Sequence, residues 1–155
     1  QIAFMNPGGI RNSIDAGPVT YGEAFAVQPF GNLLVTMDLT GAQIERLLEQ
    51  QAIATRGRPV LILGVSAGFT FSYNPAGPFG DRIDPATIQL NGATLDPAAT
   101  YRIVTNNFLA DGGDAFTVFT EGTNRTGGGD DLVALTDFLE ASSPVAPPAD
   151  RIAGI

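Results

Sequence analysis

Residues 2–11 read IAFMNPGGIR, an apolar tetrapeptide followed at once by a turn that contains two adjacent glycines and ends in an arginine. The run Ile2–Met5 has the length and composition of a short buried strand. The glycines permit positive φ and close approach of a ligand to the backbone. Asn6 offers a hydrogen-bonding amide, and Arg11 offers a planar guanidinium that suits a carboxylate or phosphate. The segment predicts either a ligand-binding turn or an ordinary strand exit with a surface arginine.

The segment from residue 32 to residue 57 predicts a strand followed by a helix. Apolar and polar residues alternate over Asn32–Leu39, as they do in a half-buried strand. Thr40 with Gln43 three positions later is typical of a capped helix start. The helix is continued by an apolar stripe at positions i, i+3, i+4 and i+8, which consists of Ile44, Leu47, Leu48 and Ala52. We expect this helix to end near Arg56-Gly57.

The remaining segments predict a mixed fold. Further strands are expected at Val60–Val65, Gly68–Asn74, Thr87–Leu90 and Tyr101–Thr105. The first two of these are expected to form an antiparallel pair, and a glycine-rich loop at Gly127–Asp130 is expected before a second helix. The sum is one mixed α/β (α+β) domain over residues 1–155, with about six strands and two or three helices. Its proline-rich tail, from about Pro144 to Pro148, is expected to be irregular.

The composition excludes several kinds of site. The 155 residues include no cysteine and no histidine, so this chain has no disulfide, no thiolate site and no histidine ligand or base. A transition-metal site would need carboxylates alone, and we expect no cofactor in this chain. Because 44% of the residues are apolar, the chain is long enough to form one hydrophobic core.

The charge of the chain argues against polymeric nucleic acid as a partner. Sixteen acidic residues stand against eight basic ones, all of them arginine, for a net charge of −8. An acidic surface repels phosphate backbones, whereas a single nucleotide needs only one or two well-placed donors. No apolar run approaches the ~20 residues that span a bilayer, so we expect no membrane span.

Two phenylalanines stand in turn-like segments. Phe30 lies between Pro29 and Gly31, just before Asn32, and Phe108 follows a pair of asparagines at a strand end. A phenylalanine in such a place is either a core residue or an exposed platform that stacks on a base, worth ~1–3 kcal/mol per base. Asn32 by its own pattern is ordinary turn chemistry.

A Gly-Gly-Asp turn follows Phe108, at Gly112-Gly113-Asp114. The two glycines would hold the carboxylate of Asp114 rigidly, where it could accept hydrogen bonds from ribose hydroxyls. An aspartate that caps a helix or strand terminus fits the same residues. Two rings, an aspartate and an arginine are the parts of a nucleoside clamp, provided that these loops converge.

Four segments, taken in order and at their spacing, resemble the C-terminal domain of secreted 5′-nucleotidases and nucleotide-sugar hydrolases. They are Asn6–Arg11, Tyr21–Ala24, Pro29–Asn32 and Asn107–Asp114. The similarity covers about residues 1 to 140, and the ordered set is specific although each motif alone is weak. The sequence departs from the family pattern at Pro7, where a small residue is common, and at Ala115, where glycine is common.

The resemblance implies a nucleotide-recognition role for six residues. They are Asn6, Arg11, Phe30, Asn32, Phe108 and Asp114. The two phenylalanines would sandwich the base, and the aspartate would bind the ribose hydroxyls. The arginine, with Asn6, would orient the phosphate side of the ligand, and Asn32 would bond the base.

The resemblance also places the chemistry outside this sequence. In the family, an N-terminal domain similar to calcineurin-type phosphatases holds two divalent metal ions, which activate water and stabilise an in-line displacement. This chain would be the binding fragment of a phosphohydrolase, inactive alone, with that domain of the same polypeptide as its partner. Gln1 begins inside a predicted strand, as expected of a fragment. Export to the periplasm, cell wall or medium is implied as well.

Two other functions stay open at this point. An interaction module could retain the fold without a working pocket, and a former domain interface would then be an apolar patch. A relative with a different substrate, such as a cyclic phosphodiesterase or a sulfur-compound hydrolase, could retain the scaffold. Titration with a nucleoside separates the interaction module from nucleotide recognition.

Overall fold

A five-stranded mixed sheet forms the larger layer of the protein, in a computed structural model that describes residues 1–147 and 151–155. In spatial order its strands are β3 (Gly64–Val65), β1 (Ile2–Met5), β7 (Thr100–Asn106), β2 (Leu33–Thr40) and β8 (Thr123–Asp130). β1 runs parallel to β7, and the other neighbouring strands are antiparallel. Because β1 and β7 are parallel neighbours, their C-terminal ends lie at the same edge of the sheet.

A smaller sheet, four α-helices and four short 3₁₀ helices make up the other regular elements of the described residues. The sheet consists of β6 (Ala93–Thr94), β5 (Gln89–Leu90), β4 (Phe69–Ser72) and β9 (Ile152–Ala153). The α-helices are α1 (Tyr21–Val27), α2 (Gly41–Glu49), α3 (Asn107–Ala110) and α4 (Asp131–Ser142). The predicted mixed α/β class is confirmed, although the strands and helices outnumber the prediction because several of them are only two to four residues long.

The core lies between the two sheets and α2. Phe4 of β1 meets Phe69 of β4 and Phe119 edge to face, with ring centroids 5.6 and 5.9 Å apart. The predicted alternation in β2 is confirmed at Val35, Met37 and Leu39, which are all buried in this cluster. These contacts hold the two sheets as one body and so fix the loops at the sheet edge.

The helix after β2 starts as predicted but ends earlier. Thr40 and Gln43 exchange the two hydrogen bonds of a capping box, whereas α2 ends at Glu49 and not near Arg56-Gly57. The buried side chain of Gln51 donates to the Leu48 carbonyl at 3.0 Å and accepts from the Leu63 N–H at 2.8 Å. Because these bonds fix the Gln51 side chain between Leu48 and Leu63, the chain leaves the helical path after Glu49.

Two predictions of strand structure are wrong. The segments predicted to pair with each other lie in different sheets, because the chain reverses at Gly68 (φ 82°) and β3 pairs with β1 while β4 pairs with β5 and β9. Gly127–Asp130 is part of β8 and not a loop. A Cβ on Gly128 would lie 3.3 Å from Leu34, so the missing side chain lets this strand approach β2.

The proline-rich segment from about Pro144 is irregular as far as the structure describes it, and the short strand β9 follows at Ile152–Ala153. Residues 143–147 form neither helix nor strand, and Pro148 lies outside the described residues. Among the described helices, none combines the length and the apolar character that crossing a bilayer requires.

Candidate functional site

A pocket of about 420 Å³ lies where three segments distant in the sequence meet. Its lining residues are Asn6, Gly8, Gly9, Phe30, Asn32, Phe108 and Asp114. They come from the turn after β1, the turn between α1 and β2, and α3 with the turn that follows it. Five of the six residues singled out in the sequence therefore share one pocket.

Arg11, the sixth residue, lies at the rim of the pocket. Its guanidinium carbon is 5.7 Å from the centroid of the Phe30 ring, and its Nη1 donates to the Gly8 carbonyl at 3.3 Å. Its backbone N–H donates to the Val27 carbonyl at 2.9 Å, which ties the turn to the end of α1. The side chain is exposed, so its positive charge lies beside the pocket and is accessible to an anion.

Both aromatic residues of the pocket are half exposed. Phe30 is 56% and Phe108 is 44% exposed, so neither is a core residue. The aromatic pairs of the described residues, in which rings pack on each other, all lie in the core. The Phe108 ring lies against Gly113, where an added Cβ would come within 2.6 Å of three ring carbons. Both rings are thus available to a ligand.

A chain of buried amides orients the carboxylate of Asp114. Asn6 Nδ2 donates to Asp114 Oδ2 at 3.3 Å, and Asn6 Oδ1 accepts from Asn106 Nδ2 at 2.9 Å. Asn106 Oδ1 in turn accepts from the Leu109 N–H at 2.9 Å and caps α3. Asn106, and not Asp114, is therefore the cap, and one network positions both the carboxylate and the helix that carries Phe108.

The turn that carries Asp114 is held in an unfavourable backbone conformation. Gly112 (φ 86°), Asp114 (φ 54°) and Ala115 (φ 63°) all occupy the left-handed region. This conformation costs a residue with a side chain about 1–2 kcal/mol, and such strain concentrates at binding sites. Glycine adopts a positive φ without this cost, so Ala115 occupies a position that favours glycine.

Asn32 is held by a carboxylate that the sequence did not single out. Its Nδ2 donates to Asp131 Oδ2 at 3.2 Å, and the backbone N–H of Asp131 donates to the Asn32 carbonyl at 2.9 Å. Burial raises the pKa of Asp131, the charge of Asp130 raises it further, and the hydrogen bond from Asn32 opposes the shift. An Asp-Asp pair before a helix is ordinary N-terminal chemistry, so no local signal separated Asp131 from its neighbour.

The described residues do not supply a metal centre. Across residues 1–147 and 151–155, no group of three or more Asp, Glu, His or Cys side chains is close enough to hold a metal ion. The chain also lacks histidine and cysteine altogether. The donor set therefore does not fit the dimetal centre that the resemblance assigns to another domain, whereas the pocket offers rings, amides and one carboxylate.

Comparison with known proteins identifies the family of this chain. Residues 1–121 match the family described as 5′-nucleotidase, C-terminal domain. The chain is 40% identical over 138 residues to the trifunctional nucleotide phosphoesterase protein YfkN of Bacillus subtilis, covering 85% of this chain and 9% of that protein. It is 32% identical over 146 residues to the 5′-nucleotidase of Vibrio cholerae, covering 94% of this chain and 25% of that protein.

A solved structure gives the same result. The crystal structure of a 5′-nucleotidase precursor from Thermus thermophilus superposes with a TM-score of 0.84 at 38% identity, over 99% of this chain and 31% of that chain. The chain thus spans less than a third of the length of these relatives, and in YfkN less than a tenth. Nucleotidases and phosphoesterases are hydrolases, and the part that matches is their C-terminal domain. The chain belongs to the 5′-nucleotidase C-terminal domain family.

Proposed function

We propose that this domain is the substrate-binding part of an exported 5′-nucleotidase-type phosphohydrolase and recognises the nucleoside part of a nucleotide or nucleotide sugar. The observation that carries the proposal is the convergence of Phe30, Phe108 and Asp114 on one pocket. The two rings would enclose the base, and the ribose hydroxyls would donate to the Asp114 carboxylate. Arg11 and Asn6 would face the phosphate side of the ligand.

The magnitudes are sufficient for a useful affinity. Stacking contributes ~1–3 kcal/mol per ring, and a hydrogen bond to a charged group adds ~1.5–3 kcal/mol. Part of this sum is lost to the freedom that the ligand gives up on binding. A dissociation constant between ~1 μM and ~1 mM corresponds to ~4–8 kcal/mol of binding free energy, which is of the same order as these contacts before that loss.

The phosphate chemistry would lie in a metal-bearing N-terminal domain of the same polypeptide. Such a domain would supply an activated water, since residues 1–147 and 151–155 contain no group of side chains that could hold a metal ion. The role of the present residues is to hold the nucleoside, so that binding energy remote from the phosphate positions it for reaction. The greater length of the relatives supports this division.

The proposal predicts binding without turnover. Calorimetric titration of adenosine and AMP into this chain should give saturable binding, and phosphate release from AMP with added Mg²⁺ or Zn²⁺ should stay at the rate without protein. A well-folded chain that binds neither ligand would contradict the proposal and favour an interaction module that retains the fold alone.

Gly113→Ala is expected to weaken adenosine binding about fivefold or more, a loss that lies within the ~1–3 kcal/mol of one stacking contact. The new Cβ would displace the Phe108 ring, which lies 2.5–2.6 Å from that position. Stability should change little, because the ring is half exposed and can rotate toward solvent. The matched control is Gly127→Ala, whose Cβ would meet no atom within 4 Å. Equal binding by the two variants would contradict the assigned role of the Phe108 ring.

A further inference from the structure

Asp131 is a buried carboxylate with one side-chain partner in the described part of the chain, the pocket residue Asn32. It is 5% exposed, and its Oδ1 accepts no hydrogen bond from the described residues. Burying a carboxylate with incomplete hydrogen bonding is unfavourable. Capping of α4 does not explain it, because Asp130 is the cap and accepts from the N–H groups of Leu132 and Val133.

The contact determines which end of the Asn32 amide faces Asp131. An ionised carboxylate only accepts hydrogen bonds, so it is met by the NH₂ group and not by Oδ1. The second bond, from the Asp131 backbone N–H to the Asn32 carbonyl, holds the main chain of the same residue. Asn32 lines the pocket, and its Oδ1 accepts no bond from the described residues. That oxygen is therefore the acceptor left for a ligand.

A locked amide distinguishes bases that a freely turning amide would not. Adenine presents an amino donor beside a ring-nitrogen acceptor, whereas hypoxanthine presents a carbonyl acceptor beside an N–H donor. Cytosine and uracil form the same contrast. An amide that can rotate by 180° pairs with either pattern, because it carries one donor and one acceptor group. An amide fixed with its acceptor toward the ligand favours the amino-bearing base.

We propose that Asp131 is a positioning residue, which locks the Asn32 amide so that the pocket selects amino-bearing nucleosides, adenosine and cytidine, over inosine and uridine. The inference rests on the proposed function, since it requires the base to occupy this pocket. An asparagine at position 131 would avoid the buried charge but would accept Asn32 in either orientation. The charge is what makes the orientation unique.

The test is a comparison of adenosine with inosine by calorimetry, in the wild type and in Asp131→Asn. The wild type is expected to prefer adenosine about tenfold or more, within the ~1–3 kcal/mol of a matched pair of base contacts. The variant is expected to bind the two nucleosides within about threefold of each other, because its amide lets Asn32 turn. The ratio is the readout, since a merely structural defect would weaken both nucleosides alike.

Asp130→Asn is the matched control. It removes the same charge one position away, keeps a good N-cap, and its side chain bonds to the Leu132 and Val133 N–H groups and not to Asn32. This variant should retain the preference for adenosine. Asn32→Ala serves as a second variant, and it should lose the preference even if Asp131→Asn fails to fold. Binding without discrimination by the wild type, or a preference that survives Asn32→Ala, would overturn the inference and leave the proposed function standing. Absence of any nucleoside binding would overturn both.

Discussion

Phe108→Ala should weaken adenosine binding by about 5- to 150-fold, which corresponds to ~1–3 kcal/mol of stacking on one ring. Phe30→Ala should weaken it to a similar degree, because its ring lines the same pocket. The double variant is expected to show no saturation in calorimetry. Both side chains are half exposed, so the free energy of unfolding should fall by no more than about 1 kcal/mol in either single variant.

Phe138→Ala is the control for these two substitutions. Phe138 lies on α4, is 55% exposed and does not line the pocket. Its loss removes an equal ring area from solvent-facing surface and should leave adenosine affinity unchanged. If all three alanine variants bind adenosine alike, the base does not stack on Phe30 or Phe108, whatever else the pocket binds.

The parts of the fold with a local signal could be predicted from the sequence. The alternation in β2 and the capping pair Thr40 and Gln43 depend on residues a few positions apart, and both predictions are confirmed. The end of α2 depends on Gln51 reaching Leu63, twelve positions away. A second capping pair, Thr20 with Glu23, starts α1 and was missed although its signal is the same.

Prediction of the site from sequence was limited even more strongly to contacts between residues close in sequence. The six candidate residues were found through a family pattern, because local sequence alone allowed Phe30 to be a core residue and Asp114 to be a cap. The residues that hold the site in place were missed, since their contacts are remote in sequence. Asn106 meets Asn6 across 100 positions, and Asp131 meets Asn32 across 99. Each of these looks like an ordinary terminus residue until the chain is folded.

Asn6→Asp should damage the whole site, because it sets a second carboxylate against Asp114. The two groups are 3.3 Å apart, and Asn6 is buried. The substitution preserves the acceptor for Asn106 but replaces the donor to Asp114 with a negative charge. At neutral pH we expect a loss of stability on the order of 2–4 kcal/mol, and adenosine binding should fall below detection because the ribose site is distorted.

The stability lost by Asn6→Asp should depend on pH, and the direction of this dependence identifies repulsion between the two carboxylates as its cause. Repulsion raises the pKa of one carboxylate of the folded pair above its unfolded value. At a pH between the unfolded-state pKa and the folded-state pKa of that carboxylate, the folded state binds more protons than the unfolded state. The stability of the variant relative to wild type therefore rises as the pH falls. Urea unfolding of both proteins from pH 8 to pH 5 measures this difference.

Asn107→Asp separates this repulsion from a general effect of added charge. Asn107 is exposed, and its Oδ1 accepts from the Leu33 N–H at 2.9 Å, a bond that an aspartate also makes. Both variants have a net charge one unit more negative than wild type, but only Asn6→Asp places that charge against Asp114. If the two variants lose the same stability at neutral pH, and neither recovers it as the pH falls, then Asn6 does not hold the Asp114 carboxylate. The ribose contact would then lose the buried support that distinguishes it from a surface aspartate.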